Sequence, residues 1–334
     1  MALTAKIPEE LYEYDDADGL KEQYRKLASQ HHPDKGGNVA DFQLVKDLYE
    51  LAVKKAESHS PWDTGSSVTW RGDDDRVFKL EYRWGKSFEI GRMMTGNQRV
   101  LYTIAPEFAD LAKAAVDMAV SCRANAGPND KLKEVNGWIL PKVISSSKTT
   151  VMMEKDPDII PLRAVLDAYG PFSAVHAAWV IGRLMHILCY LEWRGIVHGD
   201  ISVDNLFVNL KNHSLHLYGG WWYARTKGTK FAALPPRSIR LSPPNIIKEK
   251  IAHKRLDFEL VRHTAIEVLG AKSPTELRMR KDIPQGLTAF LSTPAAAPTA
   301  TALYEEWEKA RDAAFGPRKF AVFSYEPAKI FKEI

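Results

Sequence analysis

The chain has 334 residues, 45% hydrophobic and 26% charged, with a formal net charge of +4; this is the profile of a soluble globular protein of two domains, or one domain with a small appendage, and the charge is too modest to suggest a nucleic-acid binder. Two distant cysteines, Cys122 and Cys189, form no metal-ligand pattern and favour a reducing, cytoplasmic compartment. The acidic N-terminus lacks the apolar core of a signal peptide, and the longest apolar stretch, VIGRLMHILCYLEW (180–193), is broken by Arg183, His186 and Glu192, which predicts a buried helix rather than a membrane span.

Charge is uneven along the chain. Residues 1–60 carry 8 Lys and Arg against 12 Asp and Glu, and the remainder carries 38 against 30, which supports two modules with different surfaces. In the first, Leu20, Tyr24, Leu27, Ala28 and His31 fall at helical spacing, with Lys21, Arg25 and Lys26 on the other side. Pro33 stops this helix and biases His32 toward extended backbone. Gly36 and Gly37 prolong the turn, Asn38 offers an N-cap, and Phe42, Val45, Leu48, Tyr49 and Ala52 make the facing apolar stripe. The prediction is an antiparallel helical hairpin with a rigid, polar-tipped loop. Ile7, Leu11 and Tyr14 are expected in a short helix packed across it.

The segment YRKLA followed by HPDKGG, with the helix after it, resembles the J-domain of DnaJ-type co-chaperones over residues 7–58. The resemblance implies that His32, Pro33 and Asp34 at the tip, with Lys21, Arg25 and Lys26 on the helix, dock on a DnaK-type chaperone and stimulate its ATPase. The chemistry is compatible. Asp34 offers a charge-assisted acceptor, Pro33 fixes its direction, and the basic side chains steer toward an acidic patch. The segment departs from the family in a short first helix and in a final helix that is truncated or merges into a linker. There is no Gly/Phe-rich segment and no repeated Cys-x-x-Cys module, so a general-purpose DnaJ is excluded. The plain alternative is a hairpin whose turn happens to contain these three residues.

Residues 61–75, rich in Ser, Gly and Asp, are expected as a linker between a domain at 1–60 and a second at 76–334. In the second, a long apolar helix (about 173–194) leads into GIVHGDISVDNLFVNLKNHSLHLYGGWWYA (195–224), which reads as short strands around a polar loop. This loop resembles the catalytic loop of protein kinases in its His-Gly-Asp version. The resemblance implies Asp200 as catalytic base, Asn205 as a magnesium ligand and nucleotide-site residue, and a hinge near Glu154. It further implies a bilobal fold, with a small lobe at about 76–155 and a large lobe at about 156–334. The overall expectation is α+β: an all-α hairpin followed by a kinase-like domain.

The kinase pattern is damaged. The metal-binding carboxylate should stand thirteen residues after Asn205, where Tyr218 is found, and tyrosine cannot replace it as a magnesium ligand. The third strand, RVLYTIAP, has no lysine. Lys79 in RVFKL comes too early, the glycine-rich loop has only Gly85 and Gly91, and Ser202 replaces the loop lysine. Mg-ATP is therefore a doubtful cofactor and no metal site is assigned, although Asp204 leaves room for an unusual arrangement. Two readings stay open: a catalytically impaired adaptor whose kinase-like part binds an unknown partner or client, and an active atypical Ser/Thr kinase targeted to chaperone-bound substrates. A third and weaker reading, a nucleic-acid-associated factor, rests on the basic cluster Arg237, Arg240, Lys248, Lys250, Lys254 and Arg255. Trp221 and Trp222 are expected in the core, as is His186.

Overall fold

The computed structural model describes residues 3–124, 135, 137, 139–317 and 319–331. They fall into two compact units, one made of residues 1–109 and 144–152, the other of 110–143 and 153–333.

The first unit opens with the helical hairpin. Helix α1 (Ala17–His31) is capped by Asp16, whose carboxylate accepts from Gly19 N, and α2 (Val39–Glu57) is capped by Asn38, which accepts from Ala40 N. The expected short helix at Ile7 to Tyr14 is a single 3-10 turn, Pro8–Glu10. Tyr12 does the packing there, buried with its hydroxyl donating to Val45 O at 2.8 Å. Of the predicted α2 stripe, Val45, Leu48 and Ala52 are buried, and Tyr49 stacks on Tyr24 at 4.4 Å.

The expected linker is instead folded. Strands β1 (Trp62–Asp63), β2 (Ser67–Arg71) and β3 (Val77–Glu81) form an antiparallel sheet. Gly65, Ser66, Gly72, Asp73, Asp74 and Asp75 belong to two tight turns, while Val68 and Trp70 alternate inward with period two. Polar composition hid that alternation. Trp62 packs with Tyr12, Leu20, Leu48 and Ala52, its ring edge-on to Tyr14 at 6.1 Å. The hairpin's core therefore continues past residue 60. Full burial of a Leu-sized side chain contributes about 2 kcal/mol, so Trp62 supplies a share that a separate 60-residue module would lack.

A five-stranded sheet follows, with β4 (Trp84–Phe88), β5 (Gly91–Thr95), β6 (Arg99–Ile104), β7 (Lys142–Ser147) and β8 (Thr150–Glu154) in the order β4-β5-β6-β8-β7; residues 144–152 of its last two strands fall in this unit. Gly91 lies against β6, where a Cβ would fall 1.9 Å from Thr103 O. Gly91→Ala must push two paired strands apart and is expected to destabilise the protein by ~2–4 kcal/mol in urea unfolding.

In the second unit, α3 (Ala109–Ala124) is followed by β9 (Ile160–Pro161), α4 (Leu162–Tyr169) and α5 (Ala174–Trp193). Among the described residues α5 is the one helix long and apolar enough to cross a membrane. Its apolar residues from Val180 to Leu191 lie mostly inside the fold, where α5 packs against α8 (Lys254–Val268) and α11 (Ala300–Phe315). Four short strands follow α5: β10 (Ile196–Val197), β11 (Leu206–Asn209), β12 (Ser214–Leu217) and β13 (Arg225–Thr226). Between β13 and α8 lie α6 (Pro236–Leu241) and α7 (Pro244–Glu249). Helices α9 (Pro274–Met279), α10 (Gln285–Ser292) and α12 (Pro327–Ile330) complete the unit.

Candidate functional site

Two sets of residues carry chemistry, one in each unit. In the first, α1 ends at His31, and His32 (φ −64°, ψ 131°) turns the chain into a 3-10 turn, Pro33–Lys35. His32 O accepts from both Lys35 N and Gly37 N, which locks the turn. The His32 ring packs edge-on to Phe42 at 5.2 Å, and its Nδ1 accepts from Asp34 N at 3.2 Å. The Asp34 side chain is 89% exposed. Lys21, Arg25 and Lys26 are exposed along α1. His32 and Pro33 are thus half-buried and Asp34 is exposed on the hydrogen-bonded turn.

In the second unit, β10 and β11 flank the His198 to Asn205 loop, and α8 anchors it from beneath. Asp257, in the first turn of α8, accepts from His198 N and Gly199 N, each at 2.8 Å. Burial pushes its carboxyl up to about 7, against the pull of those two hydrogen bonds. His198 is fully buried. Its Nδ1 accepts from Asp200 N at 3.3 Å, so Nε2 carries the proton and donates to Gly219 O at 3.1 Å. The neutral ring satisfies both bonds, and burial pushes its pKa down to about 3. Gly220 (φ +80°) passes so close that a Cβ would lie 2.5 Å from His198 Cε1.

Asp200 and Asn205 are brought together as predicted. Asn205 Nδ2 donates to Asp200 O at 2.7 Å and to Asp200 Oδ2 at 2.8 Å. Asn205 O in turn accepts from Tyr218 N and Gly219 N. Tyr218 itself is buried, edge-on to Phe207 at 4.9 Å, and desolvation raises its hydroxyl pKa well above the ordinary value. Trp221 and Trp222 are buried beside it, as expected, and Trp221 Nε1 donates to Leu217 O. His186, expected in the core, is exposed on α5 and packs on Tyr304. Its neighbours Met185 and Ile187 are buried, so the helix turns the imidazole outward.

Asp204 is engaged in an ion pair. Arg163 of α4 holds it at 2.7 Å and holds Glu267 of α8 at 2.5 Å. Arg237 joins the same network, donating to Ile201 O at 2.8 Å and to Thr264 Oγ1 at 3.2 Å. Burial lowers its pKa while Glu267 opposes the shift. Arg163 and Glu267 were not legible as site residues, because neither lies at a motif spacing. The expected basic patch is therefore divided. Arg237 ties down the loop, Lys254 pairs with Glu192 at 2.5 Å, and Arg255 donates to Ala296 O.

The other residues expected around a nucleotide lie on separate elements. Glu154 ends β8 and pairs with Lys142. The strand before α3 is β6, which has no lysine. Lys79 lies on β3 in the separate three-stranded sheet, exposed and 3.9 Å from Glu81. The β4–β5 connection, expected to hold a degenerate glycine-rich loop, is a two-residue turn, Glu89-Ile90, with Ile90 buried.

No protein-family model matches the chain, and no curated protein matches it. Among solved structures, the chain is similar to that of vaccinia related kinase 3, with a TM-score of 0.50 and 13% identity over 73% of this chain and 90% of that one. With a β-sheet part, a helical part and the His198–Asn205 loop seated on α8, the chain carries a protein-kinase-like fold.

Proposed function

We propose that this protein is a J-domain co-chaperone that recruits a DnaK-type chaperone and stimulates its ATPase, using the kinase-like part as a catalytically impaired module that binds a partner or client. The observation that carries the proposal is the tip: His32 and Asp34 held on a locked 3-10 turn, beside the exposed Lys21, Arg25 and Lys26. The test is ATP turnover by a purified DnaK-type chaperone, with and without an equimolar amount of the full chain. A rise of several-fold is expected, and an unchanged rate overturns the co-chaperone half. Pull-down with the full chain would then identify the partner. Two free cysteines accord with a cytoplasmic setting.

The impaired reading rests on the fit of the site to Mg-ATP. A buried Tyr218 stands where a carboxylate is needed, β6 offers no lysine, and Asp204 is spent on Arg163. Phosphoryl transfer depends on metal-borne charge stabilisation, so these residues do not suit the group. One observation favours the rival reading of an atypical kinase: Asp200 and Asn205 keep a hydrogen-bonded pairing. A Mg-ATP thermal shift and a phosphate-transfer assay on wild type and Asp200→Ala separate the two. We expect no melting shift and no transfer sensitive to Asp200; transfer lost in D200A would establish the rival.

A further inference from the structure

The second unit holds a cavity of about 420 Å³ between α5, α11 and the segment after α11, and no residue from His198 to Asn205 lines it. Its walls are aromatic. Trp179 stacks on His213 at 4.5 Å, and His213 stacks on Phe320 at 4.0 Å, giving one continuous ring column. Trp307 and Tyr304 also line it. Trp307 is fully buried, yet its Nε1 has no hydrogen-bond partner among the described residues, and neither has the buried Trp179 Nε1. Orphaned buried donors are uncommon and costly, so two around one cavity call for an acceptor.

Gly182 explains why the space exists. A Cβ at this position in α5 would already touch Trp307 Nε1 at 3.5 Å, and Gly182 and Trp307 both line the cavity. The charge around the cavity is one-sided. Arg183, Arg311 and Lys319 line it, and among the described residues no Asp or Glu does. Arg311 is answered from outside by Glu308 and Asp312, and Arg183 Nε donates to His213 O. The volume lies within the usual range for small-molecule sites, which are apolar with a few convergent polar groups.

We propose that this cavity binds a small amphipathic anion, a flat aromatic body bearing a carboxylate. The ring column would take the body, and Trp307 Nε1 and the cationic rim would take the carboxylate. The probe is naphthalene-2-carboxylate, titrated calorimetrically into the full chain, with naphthalene-2-carboxamide as the neutral control. The carboxylate should bind about tenfold more tightly than the carboxamide, as expected for one charge-assisted hydrogen bond. Gly182→Leu should abolish binding by filling the cavity; leucine suits the helix, and its bulk against Trp307 sets the stability cost. Trp307→Phe keeps a six-membered ring, removes the N–H donor with the pyrrole half of the indole, and should weaken binding about tenfold and lower the preference for carboxylate over carboxamide; it decides the matter if G182L does not fold. Equal affinity for the carboxamide, binding unaltered in W307F or in a folded G182L, or no binding at millimolar carboxylate would each overturn the proposal.

Discussion

Replacing His32 by glutamine is expected to reduce chaperone stimulation to background while leaving the fold intact. The His32 ring is partly exposed and lies outside the hairpin core of Leu20, Leu48, Ala52 and Trp62. Its loss removes the edge contact with Phe42 and the Nδ1 acceptor that orients Asp34 N. His32 caps the 3-10 turn through that acceptor, and loss of a cap costs about 1 kcal/mol, so the melting temperature should fall by only a few degrees. Asp34→Asn leaves the turn in place and removes only the charge. It should weaken chaperone binding by about 10- to 100-fold, the worth of a charge-assisted hydrogen bond. Charge removal at Lys21, Arg25 and Lys26 should act differently, slowing association and flattening its salt dependence. Stimulation retained by both H32Q and D34N would mean that the tip is only a turn.

The hairpin was legible because its signals are local. A proline, two glycines and a capping asparagine bound two helices whose stripes are spaced every three to four residues. The loop from His198 to Asn205 was legible through its local pair, since Asp200 and Asn205 lie five positions apart, while its anchor Asp257 lies 59 positions from His198. What escaped is long-range. The strand at 67–71 reads as linker by composition, and only its pairing with 77–81 and the burial of Trp70 reveal it. Arg163 reaches Asp204 across 41 residues and Glu267 across 104, and no spacing rule connects them. The same limit applies to Arg237, Lys254 and Arg255. Their run of charge looked like a surface patch, yet each is held by acceptors from other elements. Local chemistry specifies the groups that could act, while packing at distance decides which of them are already engaged.

Asp257 is the position where that distant packing should have its largest effect. It is fully buried and is the acceptor for two backbone N–H groups that hold the His198–Gly199 turn. Asp257→Ala leaves both donors unmet in the interior and should cost ~3–5 kcal/mol in urea unfolding. Asp257→Asn keeps one acceptor and should cost less, and it makes the electrostatics separable. The folded pKa of Asp257 is raised to about 7 from 3.8, so the folded state binds the extra proton. Its contribution is therefore most favourable near pH 4 and is lost as pH rises to about 7. His198, lowered to about 3 from 6.5, runs the other way: its contribution is present above about pH 6.5 and is lost as pH falls toward 3. Each arm spans on the order of 4 kcal/mol, and the two oppose each other over nearly the same range. D257N removes only the first arm. Unfolding both proteins from pH 4 to 8 should show the wild type losing ground to D257N as pH rises. A constant gap would mean that Asp257 stays ionised throughout and acts only as a hydrogen-bond acceptor.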